Sequence, residues 1–135
     1  MAANTLVCDI VTPESFLFNG RARLVSAPAG EGEIGLMYQC SPLMSTLRRG
    51  VIRIKNEDET EMSSYAIDGG YLEVDGRKVI VLATRAINLD EIDKDLCLEN
   101  IAFNEARLAE LEEGSPAKAY AESEVSWENY LISLM

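Results

Sequence analysis

The stretch YLEVDGRKVIVLA, residues 71–83, carries the pattern that fixes the fold class. In its first half Leu72 and Val74 alternate with more polar neighbours, and its second half, residues 78–83, is largely apolar and rich in β-branched side chains. Between the halves lies Asp75-Gly76, a dipeptide that favours the tight turn of a β-hairpin. Because alternation places one face of a strand in a core, the stretch predicts two antiparallel strands joined by a short turn.

A strand-like pattern continues through the first part of the chain. It begins with Leu6, Cys8 and Ile10, which alternate with their neighbours, and turn residues interrupt it at short intervals. Further strands are predicted at residues 16–18, 21–27, 51–55 and 61–67, with breaks at Pro13-Glu14, Asn19-Gly20 and the polar loop 56–60. Strands at this spacing predict an antiparallel β-sandwich or barrel over residues 1–86.

Residues 87–135 change to a helical pattern and predict an antiparallel helical hairpin. Asp90 is the predicted N-cap of the first helix, and Gly114-Ser115-Pro116 combines signals that end one helix and begin the next. The expected facing stripes are Cys97, Ile101, Asn104, Leu108 and Leu111 in the first helix and Tyr120, Trp127, Leu131 and Leu134 in the second. The predicted fold class is mainly β plus α, an N-terminal antiparallel β-sandwich followed by a C-terminal helical hairpin.

The charge of the chain excludes several functions. With 12 basic and 23 acidic residues the net charge is -11, and residues 87–135 alone hold 3 basic and 12 acidic residues. This balance opposes binding to nucleic acid or to anionic lipid. The chain contains no histidine, which excludes Ser-His-Asp and Cys-His nucleophiles and histidine-ligated metal sites.

Cysteine spacing and hydropathy place the chain in a reducing compartment and outside the bilayer. Cys8, Cys40 and Cys97 are odd in number and widely separated, so they form neither a disulfide framework nor a C-x-x-C metal site. No apolar run approaches the ~20 residues that span a bilayer. We therefore expect no metal and no direct lipid insertion.

Three motifs have a structural and a functional interpretation. GEGEIG, residues 30–35, matches a dinucleotide fingerprint in letters, but prolines flank it and its two carboxylates would repel a pyrophosphate, so a tight loop between strands is favoured. The acidic residues 57–61 lack the spacing of a calcium loop and predict a solvated hairpin tip. Tyr120, Trp127 and Tyr130 form either the packing face of the hairpin or a recognition surface.

The order of the segments is more specific than any one of them. In sequence they are residues 9–14 (DIVTPE), 18–20 (FNG), 27–35 (APAGEGEIG), 41–43 (SPL) followed by Leu47 and Gly50, 69–74 (GGYLEV) and 79–83 (VIVLA). This order resembles the epsilon subunit of the rotary F-type ATP synthase, the counterpart of mitochondrial delta. The resemblance covers nearly the whole chain, since that family also has a β-sandwich followed by a helical hairpin.

The resemblance implies a non-catalytic subunit of the central rotor stalk, peripheral on the cytoplasmic face of the bacterial cell membrane, in a proton- or sodium-translocating ATP synthase. It implies that the sandwich contacts the c-ring and the gamma subunit, and that the hairpin contacts alpha and beta when it extends and so restrains hydrolysis. The implied c-ring contacts are Glu31, Gly32, Glu33 and Leu36, and the implied gamma contacts are Cys40, Pro42 and Ser45.

This chain departs from the family pattern at three places. Cys40 stands where members commonly have a histidine. The ATP-binding pattern I-D-x-x-R-A of some bacterial members is degenerate here, because Ile92 and Asp93 are present but Leu96 replaces the arginine, so we expect no strong ATP site and no cofactor. The hairpin is acidic where inhibitory hairpins are often basic, which predicts weak inhibition.

Two other classes of function are compatible with parts of the sequence. The residues alone, without the resemblance, predict a β-sandwich binding module whose hairpin docks a protein partner. A small enzyme is disfavoured because no acid, base or nucleophile constellation is present. Co-isolation with gamma, alpha, beta and c subunits distinguishes the rotor subunit from both.

Overall fold

The computed structural model describes residues 4–58 and 62–135. The chain divides into two compact units, Met1–Asp90 and Glu91–Met135. The sequence placed the boundary at residue 86, but residues 86–88 form a strand whose Ala86 pairs with Ile67 of the preceding sheet. The first unit therefore ends a few residues later than the change in hydrophobic pattern.

Over residues 4–58 and 62–135, the first unit forms seven strands and the second two helices. The strands are β1 Leu6–Val11, β2 Phe16–Ala29, β3 Gly32–Leu36, β4 Leu43–Asn56, β5 Met62–Val74, β6 Lys78–Ala83 and β7 Ala86–Asn88. The helices are α1 Lys94–Leu108 and α2 Pro116–Ser133, and a short 3-10 helix at Leu89–Glu91 precedes α1.

The strands form a β-sandwich that closes like a barrel. The order along the sheet is β1-β6-β5-β4-β2-β3, and an additional pairing of β1 with β2 closes the ring. β1 is antiparallel to β2 but parallel to β6, which differs from the all-antiparallel arrangement expected from the sequence. The prediction of a β-sandwich followed by a helical hairpin is confirmed.

Two strands are much longer than the sequence suggested, because turn-forming residues lie inside them. Asn19-Gly20 does not end a strand: Asn19 pairs with Asp9 of β1, and its amide donates to the Asp9 carboxylate. Pro28 also lies within β2, at a register shift against β4 where the missing N–H is tolerated. Gly50 lets the two strands approach there, since a Cβ would lie 2.7 Å from the Pro28 ring.

The core of the sandwich follows the predicted alternation. Leu6, Cys8 and Ile10 are fully buried, as are Val79 and Val81 of β6. Their partners in the core cluster are Ala22, Val25, Ala27, Leu36, Leu47, Ile52, Ile54, Tyr65, Ile67, Leu72, Val74 and Ala83. The alternation predicted from residues 71–83 is thus confirmed, and it extends over the rest of the ring.

The turn after β5 is held by a side chain. Gly76 has φ +94°, whereas Asp75 does not have a positive φ. The turn therefore differs from the type I′ turn that the dipeptide favours, in which both central residues have positive φ. The Asp75 carboxylate instead accepts hydrogen bonds of 2.9 Å from the backbone N–H groups of Arg77 and Lys78. These bonds lower the pKa of Asp75. The predicted loop 56–60 and the start of the strand at residue 61 lie partly outside the described residues.

The helices begin and pack differently from the prediction at three points. Asp93, not Asp90, is the N-cap of α1, and α1 ends at Leu108, before the predicted stripe residue Leu111. The cap of α2 is confirmed, since Ser115 accepts from the Lys118 N–H with proline at the start of the helix. Tyr120 is 59% exposed and Ala121 takes the buried place, because Ala121 lies two turns before Glu128 on the face that α2 buries.

Gly70 lies so close to the backbone of β6 that a side chain has no room there. With φ +148°, a Cβ at Gly70 would lie 2.2 Å from the Leu82 carbonyl oxygen, whereas Gly32, with φ +139°, has nothing within 4 Å of the same position. We predict that Gly70→Ala lowers the free energy of unfolding by about 3 kcal/mol or more, and that Gly32→Ala costs only about 1 kcal/mol of backbone strain. Urea unfolding followed by far-ultraviolet circular dichroism measures both. Equal losses would show that the close contact with β6 contributes nothing.

Candidate functional site

A surface pocket of about 490 Å³ brings together two segments that are distant in sequence. It is lined by Ala29–Ile34, from the turn between β2 and β3, and by Leu43–Thr46, from the beginning of β4. We call this feature the loop pocket. Its walls contain most of the surface residues that the sequence predicts as contacts, namely Glu31, Gly32, Glu33 and Ser45.

The β2–β3 turn is fixed against β4 by two hydrogen bonds. Gly30 donates its N–H to the Thr46 carbonyl at 3.0 Å, and the Arg48 Nε donates to the Ala29 carbonyl at 2.9 Å. A Cβ on Gly30 would lie 3.0 Å from the Thr46 hydroxyl, so the close approach favours glycine. The glycine-rich segment predicted as a tight loop between strands is therefore a hairpin turn tied to the neighbouring strand.

The structure separates the four predicted c-ring residues into a surface group and a core residue. Glu31 and Glu33 are exposed, and Gly32, between them, also lines the loop pocket. Leu36 is 4% exposed and belongs to the core cluster. Leu36 is thus not part of this surface, because the alternation of β3 turns its side chain inward while the carboxylates point outward.

The three predicted gamma contacts lie along the segment that leads into the loop pocket. Ser45 lines the pocket opposite the β2–β3 turn, and Pro42 is exposed. Cys40 is half-buried and packs against the core cluster. Its position is set by the preceding residue, since Gln39 has φ +66° and donates its N–H to the Gly76 carbonyl at 2.6 Å.

The sequence analysis did not predict the exposed apolar side chains beside the loop pocket. Leu43 is 40% exposed and Met44 60% exposed, and both line the loop pocket. Met37 is 58% exposed on the approach to Cys40. Leu43 and Met44 are consecutive apolar residues at the start of a strand, and a strand cannot turn both toward one core. That sequence signal indicates an apolar surface at this position.

The residues of the degenerate ATP pattern have structural roles. The Asp93 carboxylate caps α1 by accepting from the N–H groups of Asp95 at 3.0 Å and Leu96 at 3.2 Å. Ile92 is half-buried beside it. In the described ranges 4–58 and 62–135, no group of three or more acidic or cysteine side chains could hold a metal ion. None of the described helices is long and apolar enough to cross a membrane.

Comparison with known proteins gives a consistent set of similarities. The family described as ATP synthase, Delta/Epsilon chain, beta-sandwich domain matches residues 5–89. The ATP synthase epsilon chain of Halorhodospira halophila is 40% identical over 107 residues, which cover 79% of this chain and 76% of that one. ATP synthase epsilon chain 1 of Methylococcus capsulatus is 37% identical over 108 residues, covering 80% and 76%.

Two solved structures have the same fold at low sequence identity. A chain in the cryo-EM structure of the Euglena gracilis mitochondrial ATP synthase, OSCP/F1/c-ring, has a TM-score of 0.71 and 18% identity, covering 96% of this chain and 81% of that one. A chain in the Tetrahymena thermophila mitochondrial ATP synthase central stalk and c-ring has a TM-score of 0.54 and 15% identity, covering 95% and 93%.

The three thiols provide a test of the surface around Cys40. Burial, with a smaller contribution from Asp9, raises the pKa of Cys8 to about 12, and burial together with the Glu128 carboxylate as hydrogen-bond acceptor raises the pKa of Cys97 to about 12. With a pKa of about 12, only roughly one in ten thousand of such thiols is ionised at about pH 8. Since the thiolate is the reactive form, Cys8 and Cys97 should be alkylated slowly. We predict that Cys40→Ser removes the fast phase of alkylation by iodoacetamide, measured by mass spectrometry, whereas Cys8→Ser and Cys97→Ser leave it intact. Fast labelling that persists in Cys40→Ser would contradict this assignment.

Proposed function

This chain belongs to the ATP synthase delta/epsilon family, and from that premise we propose that its sandwich carries torque between the c-ring and the gamma subunit through the loop pocket. The family profile matches most of the sandwich and bacterial epsilon chains align with about four-fifths of the chain, so the resemblance inferred from the sequence is confirmed. The chain is a central-stalk subunit of a rotary ATP synthase. The proposal assigns its contacts with the c-ring and with the gamma subunit to particular residues.

The observation that carries the proposal is the meeting of two segments at the loop pocket. Glu31 and Glu33 project from the β2–β3 turn, and Leu43 and Met44 are exposed at the facing end of β4. Exposed apolar side chains bordered by charged ones are typical of a surface that docks another protein. A subunit that transmits torque needs such a surface on a rigid support, and both segments lie on the closed sheet.

We assign the two sides of this surface to different partners. The acidic turn with Glu31, Gly32 and Glu33 faces the polar loops of the c-ring, because Gly32 allows close backbone approach and the two carboxylates can pair with basic loop residues. The segment with Cys40, Pro42 and Ser45 faces the gamma subunit, and the exposed Leu43 and Met44 add apolar area to that contact. Leu36 makes no part of either contact.

The remaining assignments follow from the same premise. The subunit is non-catalytic and lies on the cytoplasmic face of the cell membrane as a peripheral component, held by its partners and not by lipid. The hairpin is a regulatory element that contacts alpha and beta only when it extends. Since Asp93 serves as a helix cap and no arginine stands at position 96, the hairpin has no strong ATP site.

The electrostatic part of the c-ring contact can be tested by charge reversal. We predict that Glu33→Lys reduces retention of the subunit on membranes several-fold at low salt and much less at high salt, because exposed charge pairs are screened over a Debye length of about 8 Å at physiological ionic strength. Glu57→Lys is the matched control: it changes the charge equally, but Glu57 follows the far end of β4 from the loop pocket. Retention is measured by washing membranes across a salt series.

Equal retention of Glu33→Lys and the parent protein at every salt concentration would contradict the c-ring assignment. A loss as large for Glu57→Lys would show that net charge, and not the loop pocket, controls assembly.

Removal of the hairpin tests its regulatory role. Because β7 ends at Asn88, the chain should stop after Asp90 so that the whole sheet remains. The removed residues 91–135 contain 3 basic and 11 acidic residues, a net charge of -8. If the facing loop of beta is acidic, as in the family, this charge opposes insertion into a confined and poorly screened space. We predict near-parental ATP synthesis and a rise in hydrolysis of no more than a few-fold, measured on membranes with and without an activating detergent.

A large rise in hydrolysis on truncation alone would overturn the weak-inhibitor assignment. That result would indicate that Lys94, Arg107 and Lys118 line one contacting face and overcome the acidic background.

A further inference from the structure

Where the two helices of the hairpin meet, polar side chains are buried among the apolar ones. In α1, every residue of which is described, the buried side chains are Cys97 and Asn104, while Ile101 and Leu108 are only half-buried. The facing helix α2 buries Glu128 next to Ala121, Trp127 and Leu131. A carboxylate that is 8% exposed thus stands in the middle of the helix pair.

The buried polar groups are connected to one another. The Asn100 Nδ2 donates to Glu128 Oε1 at 3.2 Å, and the buried Cys97 lies one turn before Asn100 on the same helix. Asn104 Nδ2 donates to the Asn100 carbonyl at 2.9 Å, which holds the next turn of α1 in the seam. We call Cys97, Asn100, Asn104 and Glu128 the polar seam.

The apolar side chains of α1 that could have filled the seam point away from it. Leu96, Leu98 and Phe103 are 53%, 48% and 64% exposed. The helix pair therefore lacks the continuous apolar stripe that holds most antiparallel helix pairs together. Acidic residues also outnumber basic ones within the helices, by 3 to 2 in α1 and by 3 to 1 in α2, so the helices carry net charge of the same sign.

We propose that the polar seam makes the pairing of α1 with α2 separable at low cost, and that Glu128 fixes which residues face each other while the helices are paired. A hydrogen-bonded carboxylate between helices selects one register, since a slip would leave it buried without partners. The same carboxylate gains little net free energy from burial, because losing water costs about as much as its new bonds return. An apolar side chain of similar size would therefore hold the helices more tightly.

If the hairpin is the regulatory element proposed above, easily separated helices lower the free-energy cost of its extension. The pairing of α1 with α2 is itself a property of the free chain. Its test therefore needs no other subunit, and its failure is distinguishable from failure of the rotor assignment. The measurement is hydrogen exchange of backbone amides in the full-length chain, resolved by mass spectrometry into peptides from α1, α2 and the sandwich.

We predict that Glu128→Leu slows exchange in both helices by about tenfold and leaves exchange in the sandwich unchanged, in line with the usual gain when a buried charge becomes apolar. Glu122→Leu is the matched control, because it removes the same charge from an exposed position of the same helix. Asn104→Leu, which alters the seam from the α1 side, should also slow exchange, and it provides a second test if Glu128→Leu disturbs the helices.

Faster or unchanged exchange in both Glu128→Leu and Asn104→Leu would overturn the proposal, because the polar seam would then stabilise the pair. Equal slowing by Glu122→Leu would also overturn it, since relief of general repulsion would explain the whole effect.

Discussion

The sheet is held closed by β1, which is hydrogen bonded on both edges. It pairs in parallel with β6 and antiparallel with β2, and these strands would otherwise leave open edges. On the outward face of β1 the Asp9 carboxylate accepts from the Asn19 amide of β2 and lies 3.3 Å from the Lys78 ammonium of β6. This clamp joins all three strands. Because the ring is closed, the long strands β2 and β4 stay in fixed register and bring the β2–β3 turn against the start of β4, where the loop pocket forms.

The sequence predicted the strands in which one face is buried and the other is exposed, because such strands show an alternating pattern. Residues 71–83 and the alternation at Leu6, Cys8 and Ile10 were sufficient to predict a β-sandwich, and Gly114-Ser115-Pro116 located the start of the second helix. Failures occurred where tertiary contacts override a local signal. Asn19 continues a strand because Asp9 accepts its amide hydrogen, and Pro28 stays in β2 because the register shifts beside it.

The candidate site was predicted in part for the same reason. The structure brings Glu31, Gly32, Glu33 and Ser45 together in the loop pocket, but no sequence pattern shows that their segments meet. That meeting depends on hydrogen bonds between Gly30 and Thr46 and between Arg48 and Ala29. Leu36 was predicted with the surface residues, but its side chain is buried because it lies on the inward face of β3. Leu43 and Met44 were missed because hydrophobicity alone predicts burial, not an exposed apolar rim.

The proposal that the loop pocket faces the rotor can be measured by crosslinking in the assembled enzyme. Ser45→Cys, made in a Cys40→Ser background and labelled with a photoreactive maleimide, places a probe inside the pocket, and Glu57→Cys in the same background places one beyond the far end of β4. We predict products of the Ser45 probe with the gamma and c subunits and none of these with the Glu57 probe. Products with alpha or beta alone, or the same products from both probes, would contradict the assignment of the loop pocket to the rotor.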